Sequence, residues 1–467
     1  MPTDDHRQAV NEDDALRRAG LNAFPVDRSN DSSDGIGLEP EYFPIFRGSD
    51  GRSIGRMPLN DPPTAGVLDV VDNLACSERE ISSRRGGPIG PWEYDLSDGG
   101  RITFEPGGQV EHSTGIYGSV AVAIEDVQRV LGCLRGALGS HGAVLASVGM
   151  DIWNDVETVP QQLPFGRYTA QAAYYDRRGE WGRIMMRHTA SLQINLDLGG
   201  AGRWRERWLA ANLISPLITA TFACSPGEGG VSTRARAWQE LDPTRSGFPA
   251  GLVNGSLSDP RAQWASAAMD ADVMLFRAAD GHWHPGEPGF SFRRWLRDGH
   301  PKLGWPTIAD LDYHLTTLFF EVRPRGWLEL RAGEQVPDCW RAAQVVLVTA
   351  ALYDDLSRQA ILSRLDGHRR ELPELWRIAA SRGVGDDRLR ELACRVWEES
   401  LRGVERLGEE YFGAAAIDCA RRFHEEYTAS GRTPADRLRE LQQEDPAASL
   451  AWASSMKESS SMEGLAG

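Results

Sequence analysis

Four short stretches of this 467-residue chain alternate apolar and polar residues so that each has an apolar back and a charged or amide front. That recurrence limits the fold more than any other feature, because period-two alternation marks a strand with one buried face. In Gly37–Phe43, Glu39 and Glu41 lie opposite Leu38, Pro40 and Tyr42. In Ile102–Ser113, Pro106-Gly107-Gly108 predicts a hairpin turn, since proline presets φ and glycine tolerates positive φ. Glu105 and Gln109 leave that turn on opposing arms, and Gln109, Glu111 and Ser113 share one face while Val110 and His112 take the other. Thr189–Asp197 sets Gln193 and Asn195 against Leu192, Ile194 and Leu196, and Trp327–Arg331 puts Glu329 and Arg331 together. One sheet holds all four if helices pack its apolar side and its concave polar side is left open. Pro40 lacks an amide proton, which predicts an edge strand or an amide that points away from its neighbour.

Helical periodicity follows the hairpin over Ser119–His141, and Pro164-Phe165-Gly166 opens a second helix with Tyr174 and Tyr175 about two turns along. Trp204–Cys224 reads as a helix interrupted at Ser215-Pro216. From Pro337 onward the pattern is helical, over Trp340–Tyr353, Asp387–Leu407, Gly413–Tyr427 and Pro434–Gln443, so the class is α+β. The expected organisation is a disordered acidic tail over 1–34, a main unit over 35–340 with a Gly/Asp/Pro-rich loop at 48–66, a helical part of the same domain over 341–445, and a flexible tail over 446–467.

A formal charge of -16 and a pI near 5.2 argue against nucleic acid as a partner, since such proteins concentrate Lys and Arg. No apolar run reaches the roughly 18 residues that cross a bilayer, and the N-terminus has no signal-peptide pattern, which predicts a cytoplasmic protein without a membrane partner. The six cysteines are scattered without zinc spacing, which predicts reduced thiols.

The polar sheet face gathers more carboxylates than an acid–base pair needs. Hard oxygen ligands in that number suit Mg²⁺, which bridges carboxylates to phosphate oxygens. Arg167, Arg234, Arg236, Arg245 and Arg331 supply the opposite charge, for nucleotide phosphates or a substrate carboxylate. Neither a P-loop nor a dinucleotide fingerprint is present, and His282-Trp283-His284 falls in a Gly/Pro-rich stretch expected at the surface.

Five ordered motifs then carry a family resemblance: Glu105-Pro-Gly-Gly-Gln-Val-Glu-His-Ser113, Gly166-Arg-Tyr168, Met185-Met186 leading into Thr189–Asp197, Ser232-Thr-Arg-Ala-Arg-Ala-Trp238, and Asp312–Phe319 with Glu321-Val-Arg-Pro-Arg325. Over roughly 36–337 the chain resembles the glutamate-cysteine ligases of plant and actinobacterial type, and among them the branch of ergothioneine biosynthesis. The resemblance implies an antiparallel sheet of the glutamine-synthetase kind, with ATP and Mg²⁺ at one end of a funnel and glutamate at the other. It also implies ATP-dependent joining of glutamate to cysteine through a γ-glutamyl phosphate.

On that resemblance Glu39, Glu41, Glu105, Glu111 and Glu329 are expected at Mg²⁺, with Arg236, Glu329 and Arg331 on the nucleotide. Arg167, Tyr168, Arg234 and Arg245 are expected on the donor, Gln109, Gln193 and Asn195 orient substrate, and Glu105, Glu111 and Arg234 act in catalysis. The chain departs from the family pattern at Pro40, Gln171, Cys224 and Phe320. Those departures bear on the acceptor, so the alternatives are a γ-glutamyl ligase for another amine and a nucleotide-binding relative without turnover.

Overall fold

A computed structural model describes residues 9–25, 34–48, 54–60, 65–77, 81–87, 90–200, 202–278 and 281–455. Its centre is a ten-stranded antiparallel sheet: β1 (Ile36–Arg47), β2 (Ile54–Arg56), β3 (Ile81–Gly87), β4 (Gly90–Leu96), β5 (Arg101–Phe104), β6 (Val110–Ser113), β7 (Ala143–Ala146), β8 (Leu192–Asp197), β9 (Val322–Pro324) and β10 (Trp327–Leu330). The order runs β9-β10-β8-β1-β6-β5-β4-β3, with β2 and β7 pairing the second half of β1. All four alternating stretches belong to this one sheet.

β1 is the central strand. Its first half pairs with β8 through Ile36 to Pro40, and its pairing with β6 begins at Glu41 and Tyr42. Pro40 is therefore not on an edge; it sits just before the β6 register starts, where a missing amide proton breaks no registered pair. Leu38, Ile194, Leu196, Leu328 and Leu330 form the apolar back and join one continuous core with the helices Val120–Gly139, Arg203–Phe222 and Asp338–Tyr353. Each such side chain contributes about 1.5–3 kcal/mol by leaving water.

Tertiary burial overrides local signals in three places. The helix Arg203–Phe222 runs unbroken through Pro216, because every residue from Ala210 to Phe222 is buried and packing outweighs the roughly 3 kcal/mol that an internal proline costs. The segment expected to be disordered at the N-terminus contains the helix Glu12–Ala23, capped by Asn11 and carrying acids in its first turn. Ala15, Ala19 and Ala23, spaced four apart, bury its inner face, and Gly20 packs against Arg261. The tail expected to fray from 446 forms the helix Pro446–Ala453, with Leu450 and Trp452 buried and the Ala453 carbonyl accepting the Ser147 amide at 2.8 Å. The expected loop at 48–66 contains β2.

The C-terminal helices are Asp338–Tyr353, Asp387–Leu407, Ala414–Phe423 with a π turn at His424–Thr428, and Pro434–Glu444. Asp355–Leu365 and Leu372–Arg382 add two helices that periodicity left unassigned. Among the described residues no helix is long and apolar enough to cross a membrane.

The hairpin turn is clamped from outside. The Gly107 carbonyl accepts from Arg56 at 3.0 Å and from Gln162 at 2.9 Å, and Arg56 also pairs with buried Asp151 at 2.6 Å. Gly108 has φ of 83°, and a Cβ on Gly107 would overlap the backbone of Arg187. Backbone cannot yield as a flexible side chain does. Gly107→Ala should therefore destabilise the protein by about 1–3 kcal/mol, read as a lower urea midpoint; an unchanged midpoint would show that the turn tolerates displacement.

Candidate active site

The registers of β10, β8, β1 and β6 place the polar fronts side by side. Glu41 stands opposite Glu111, Glu39 opposite Gln193, and Glu329 opposite Asn195. Each group is held differently. Glu41 accepts from the Ser191 amide and hydroxyl, both at 2.8 Å, and from Gln193 at 3.3 Å. Glu39 accepts from Asn195 at 2.9 Å, whose oxygen takes the Trp327 indole N–H at 3.0 Å, which fixes the amide's orientation. Glu111 accepts from Thr103 at 2.6 Å.

Next to this strip, a cavity of about 200 Å³ opens between the hairpin turn and the helices that follow β7 and β8. Glu41, Glu105, Gln109, Gln193, Arg167, Tyr168, Arg234 and Arg331 all line it, so eight of the expected residues meet in one place. Arg234 is buried and donates to the Arg331 carbonyl at 3.0 Å. Arg167 lies at the exposed rim, its guanidinium 4.5 Å from the Tyr168 ring centre and bonded to the Tyr168 hydroxyl at 2.8 Å. Gln109 donates to the Thr189 carbonyl at 2.9 Å, while its own oxygen is buried with no donor among the described residues. That oxygen is available to an N–H of a ligand. The apolar wall, with Met185, Met186, Trp238, Met274 and Phe319, was not assigned to the site from the sequence, although all but Met274 fall in the family motifs. The available signal was Trp238, one helical turn beyond Arg234.

Glu39, Glu111, Asn195 and Glu329 lie on the same sheet face but do not line the cavity. Glu329, expected among the metal carboxylates, is held by arginines instead of standing free. Arg323 grips it at 2.7 and 2.9 Å and Arg331 at 2.7 Å, so its oxygens are already engaged. Arg331 is held in turn by Gln193 at 2.6 Å and lies 5.4 Å from the ring centres of both Trp238 and Phe319.

Two expected arginines are elsewhere. Arg236, two residues from Arg234 on the helix Thr233–Leu241, points away from the cavity because residues two apart do not share a helix face; its guanidinium lies 4.9 Å from the Trp181 ring centre. Arg245 is fully buried behind the wall, bonded to Asp242 at 2.7 Å and to the Thr317 carbonyl at 2.8 Å. The Asp242…Arg245 spacing was the sequence signal for that local pair.

Crowding sets the electrostatics. Burial, then the neighbouring Glu329 charge, pushes Glu39 up to about 7; burial, then Glu41, pushes Glu105 up to about 7. Burial raises Glu41, and burial with the charges of Glu105, Glu39 and Glu41 carries Glu111 well above the usual carboxylate range. Glu329 runs the other way: burial acts to raise it, but Arg323, Arg331 and Arg325 prevail and hold it at about 2. Among the described residues no donor reaches the Glu105 carboxylate, and no three acidic, His or Cys groups already form a cation cage. The donor set of Glu39, Glu41, Glu105 and Glu111 nonetheless suits a hard divalent cation, since a cation relieves the repulsion that raises them. Glu321, outside every expected set, is also buried and lies near 7, raised by burial against the charges of Arg234 and Arg331.

Comparison with known proteins sets this geometry in context. The family model for glutamate-cysteine ligase family 2 (GCS2) matches residues 61–453. Glutamate–cysteine ligase EgtA of Mycolicibacterium smegmatis is 38% identical over 307 residues, covering 63% of this chain and 69% of that protein. EgtA of Mycobacterium tuberculosis is 34% identical over 324 residues, covering 67% and 72%. The chloroplastic glutamate–cysteine ligase of Arabidopsis thaliana is 29% identical over 355 residues, covering 73% and 65%. In fold, the chain is similar to the glutamate–cysteine ligase of Francisella tularensis solved in complex with AMP, with a TM-score of 0.53, 12% identity, and coverage of 91% and 88%.

The raised carboxyls make a prediction about pH. Unfolding returns Glu39 and Glu105 to an ordinary value of 4.5, so between pH 4.5 and about 7 the native state binds more protons than the unfolded chain. Their contribution to stability is therefore complete below 4.5 and lost as pH rises through 7. In calorimetry the metal-free protein should have a lower Tm at about pH 8 than at about pH 6, by an amount worth about 1–3 kcal/mol. Millimolar Mg²⁺ should restore more stability at the higher pH. A Tm that climbs between those two values would count against the crowding.

Proposed function

The chain belongs to glutamate-cysteine ligase family 2 and is a ligase, and from that footing we propose that it joins the γ-carboxylate of L-glutamate to the amine of L-cysteine with ATP, giving γ-glutamylcysteine, ADP and phosphate. The observation that carries this reading is the juxtaposition of one small cavity lined by Arg167, Arg234 and Arg331 with a strip of crowded carboxylates on the same sheet face. An amino acid fits the first, and a metal–nucleotide fits the second. By likeness to the EgtA proteins, the product enters thiol metabolism of the ergothioneine kind, in the cytoplasm where ATP and reduced cysteine are found.

The transfer proceeds in two halves. The terminal phosphoryl group of ATP passes to the γ-carboxylate oxygen of glutamate, and ADP leaves. The cysteine amine then attacks the acyl carbon, the C–O bond to phosphate breaks, and the amine gives up a proton. Glu39, Glu41, Glu105 and Glu111 would hold Mg²⁺, which neutralises phosphoryl charge when bound. Arg234 and Arg167 hold the α-carboxylate of glutamate or the acyl phosphate by forked contacts. The unpaired Gln109 oxygen accepts from the substrate ammonium, Gln193 and Asn195 keep Arg331 and Glu39 oriented, and Tyr168 backs Arg167.

Gln171 favours a second reading of the acceptor. It lines a wall otherwise built of Met185, Met186, Met274 and aromatic rings, so an amine with a polar side chain would find a partner there. The nucleotide-binding relative without turnover would lack a metal acid, and the chain retains all four of the proposed metal carboxylates, which supports the ligase reading over it.

Incubation with ATP, Mg²⁺, glutamate and a panel of amines, with products identified by mass, tests the assignment. Glutamate-dependent ADP release with γ-glutamylcysteine as product is expected, and a product from another amine alone would replace cysteine. Glu105→Gln and Glu111→Gln should each lower kcat by about a thousandfold with a urea midpoint no lower than that of the wild type, since each removes a crowded charge; near-normal turnover in either would remove the hairpin from the site. Arg234→Lys should raise the glutamate KM by about tenfold or more and leave the ATP KM within about twofold. If the ATP constant alone moved, Arg234 would belong to the phosphates.

A further inference from the structure

The two charged sides of the cavity are tied together by a residue that does not line it. Glu334 is fully buried, and its backbone bridges antiparallel to Ser191. Ser191 is the residue whose amide and hydroxyl both hold Glu41 at 2.8 Å. The Glu334 side chain serves the opposite wall. One carboxylate oxygen accepts from the Ser225 hydroxyl at 2.6 Å and from the Ser232 hydroxyl; the other accepts the Cys224 amide.

Both serines pass the constraint on. Ser232 caps the helix Thr233–Leu241 by accepting the Ala235 amide at 3.0 Å, and Ser225 accepts the Arg234 amide at 3.0 Å. A hydroxyl has one proton, so each serine can accept from the helix only while that proton goes elsewhere. The Glu334 carboxylate, whose oxygens accept from both serine hydroxyls and the Cys224 amide, provides that destination. Gly149 closes the remaining side, since a Cβ there would overlap the Glu334 carboxylate. The Arg234 backbone thus hangs through Ser225 from Glu334. Its guanidinium donates to the Arg331 carbonyl at 3.0 Å but has no carboxylate within ion-pair distance among the described residues.

We propose that Glu334 is a positioning residue: it aims Arg234 into the cavity and keeps it in register with Glu41 on the facing wall. The inference rests on the reading of Arg234 as a donor-binding group. Glutamine at 334 would present an amide N–H₂ either to the serine hydroxyls or to the Cys224 N–H, setting donor against donor and releasing the start of the helix.

The test compares wild type, Glu334→Gln, Ser225→Ala and Arg234→Lys by the KM values for glutamate and ATP, kcat and the urea midpoint. Glu334→Gln and Ser225→Ala should raise the glutamate KM by about three- to tenfold while the ATP KM stays within about twofold. Ser225→Ala combined with Arg234→Lys should be no worse for glutamate than Arg234→Lys alone, because both remove the same contact. If Arg234→Lys raises the glutamate KM and the other two leave it unchanged, the positioning role is overturned and the Arg234 assignment stands. If Arg234→Lys itself leaves that constant unchanged, the donor-binding reading fails and the inference with it. Equal losses for both substrates, or a fall in kcat alone, would mark a general loosening and also overturn it. Should Glu334→Gln fail to fold, Ser225→Ala decides by the same readout.

Discussion

Several carboxylates share one face of a sheet whose other face is sealed by helices, and the rest of the structure answers to that crowding. Like charges a few ångströms apart in a low-dielectric site repel by several kcal/mol unless something intervenes. Two remedies operate within a few residues of one another, and part of the crowding is left unrelieved. Glu329 is neutralised by Arg323 and Arg331. Glu41 is satisfied by hydrogen bonds from Ser191. Glu39, Glu105 and Glu111 are left strained toward protonation, the state expected of ligands awaiting a cation. The apolar back supplies the stability that lets the front remain unrelieved.

Arg331 joins the two parts of the site. Its guanidinium touches Glu329 and Gln193 on the strip and lies 5.4 Å from the ring centres of both Trp238 and Phe319, and its backbone carbonyl accepts from Arg234. On the proposed assignment, one group thus touches both the strip that would hold the metal–nucleotide and the cavity that would hold the amino acid.

What was legible in the sequence was whatever depended on local periodicity. The hairpin with its turn at Gly107-Gly108, the shared face of Glu39, Glu41, Glu111, Gln193 and Asn195, and the helix Asp387–Leu407 follow from side-chain alternation and helical spacing. What escaped depended on distant partners. Alanines at 15, 19 and 23 look unremarkable until the helix Pro260–Asp270 lies against them. Pro216 reads as a break until its surroundings are buried. Arg236 and Arg245 look like Arg234 in composition, and only helix phase and the local Asp242 pair separate them. Glu334 has no motif of its own; its role emerges from contacts with Ser191, Ser225 and Ser232, each about a hundred residues or more away in sequence.

The central position of β1 has a consequence for how the chain acquires its shape. β1 is made early, yet its partner β8 lies some 150 residues later, β10 follows further on, and the amide of Ser147 at the end of β7 meets its acceptor only at Ala453. Closing such loops costs entropy before any contact repays it, so this is a slow-folding topology of high contact order. The polar face therefore cannot be complete in a nascent chain until Trp327–Leu330 has been made, because that strand supplies Glu329 opposite Asn195.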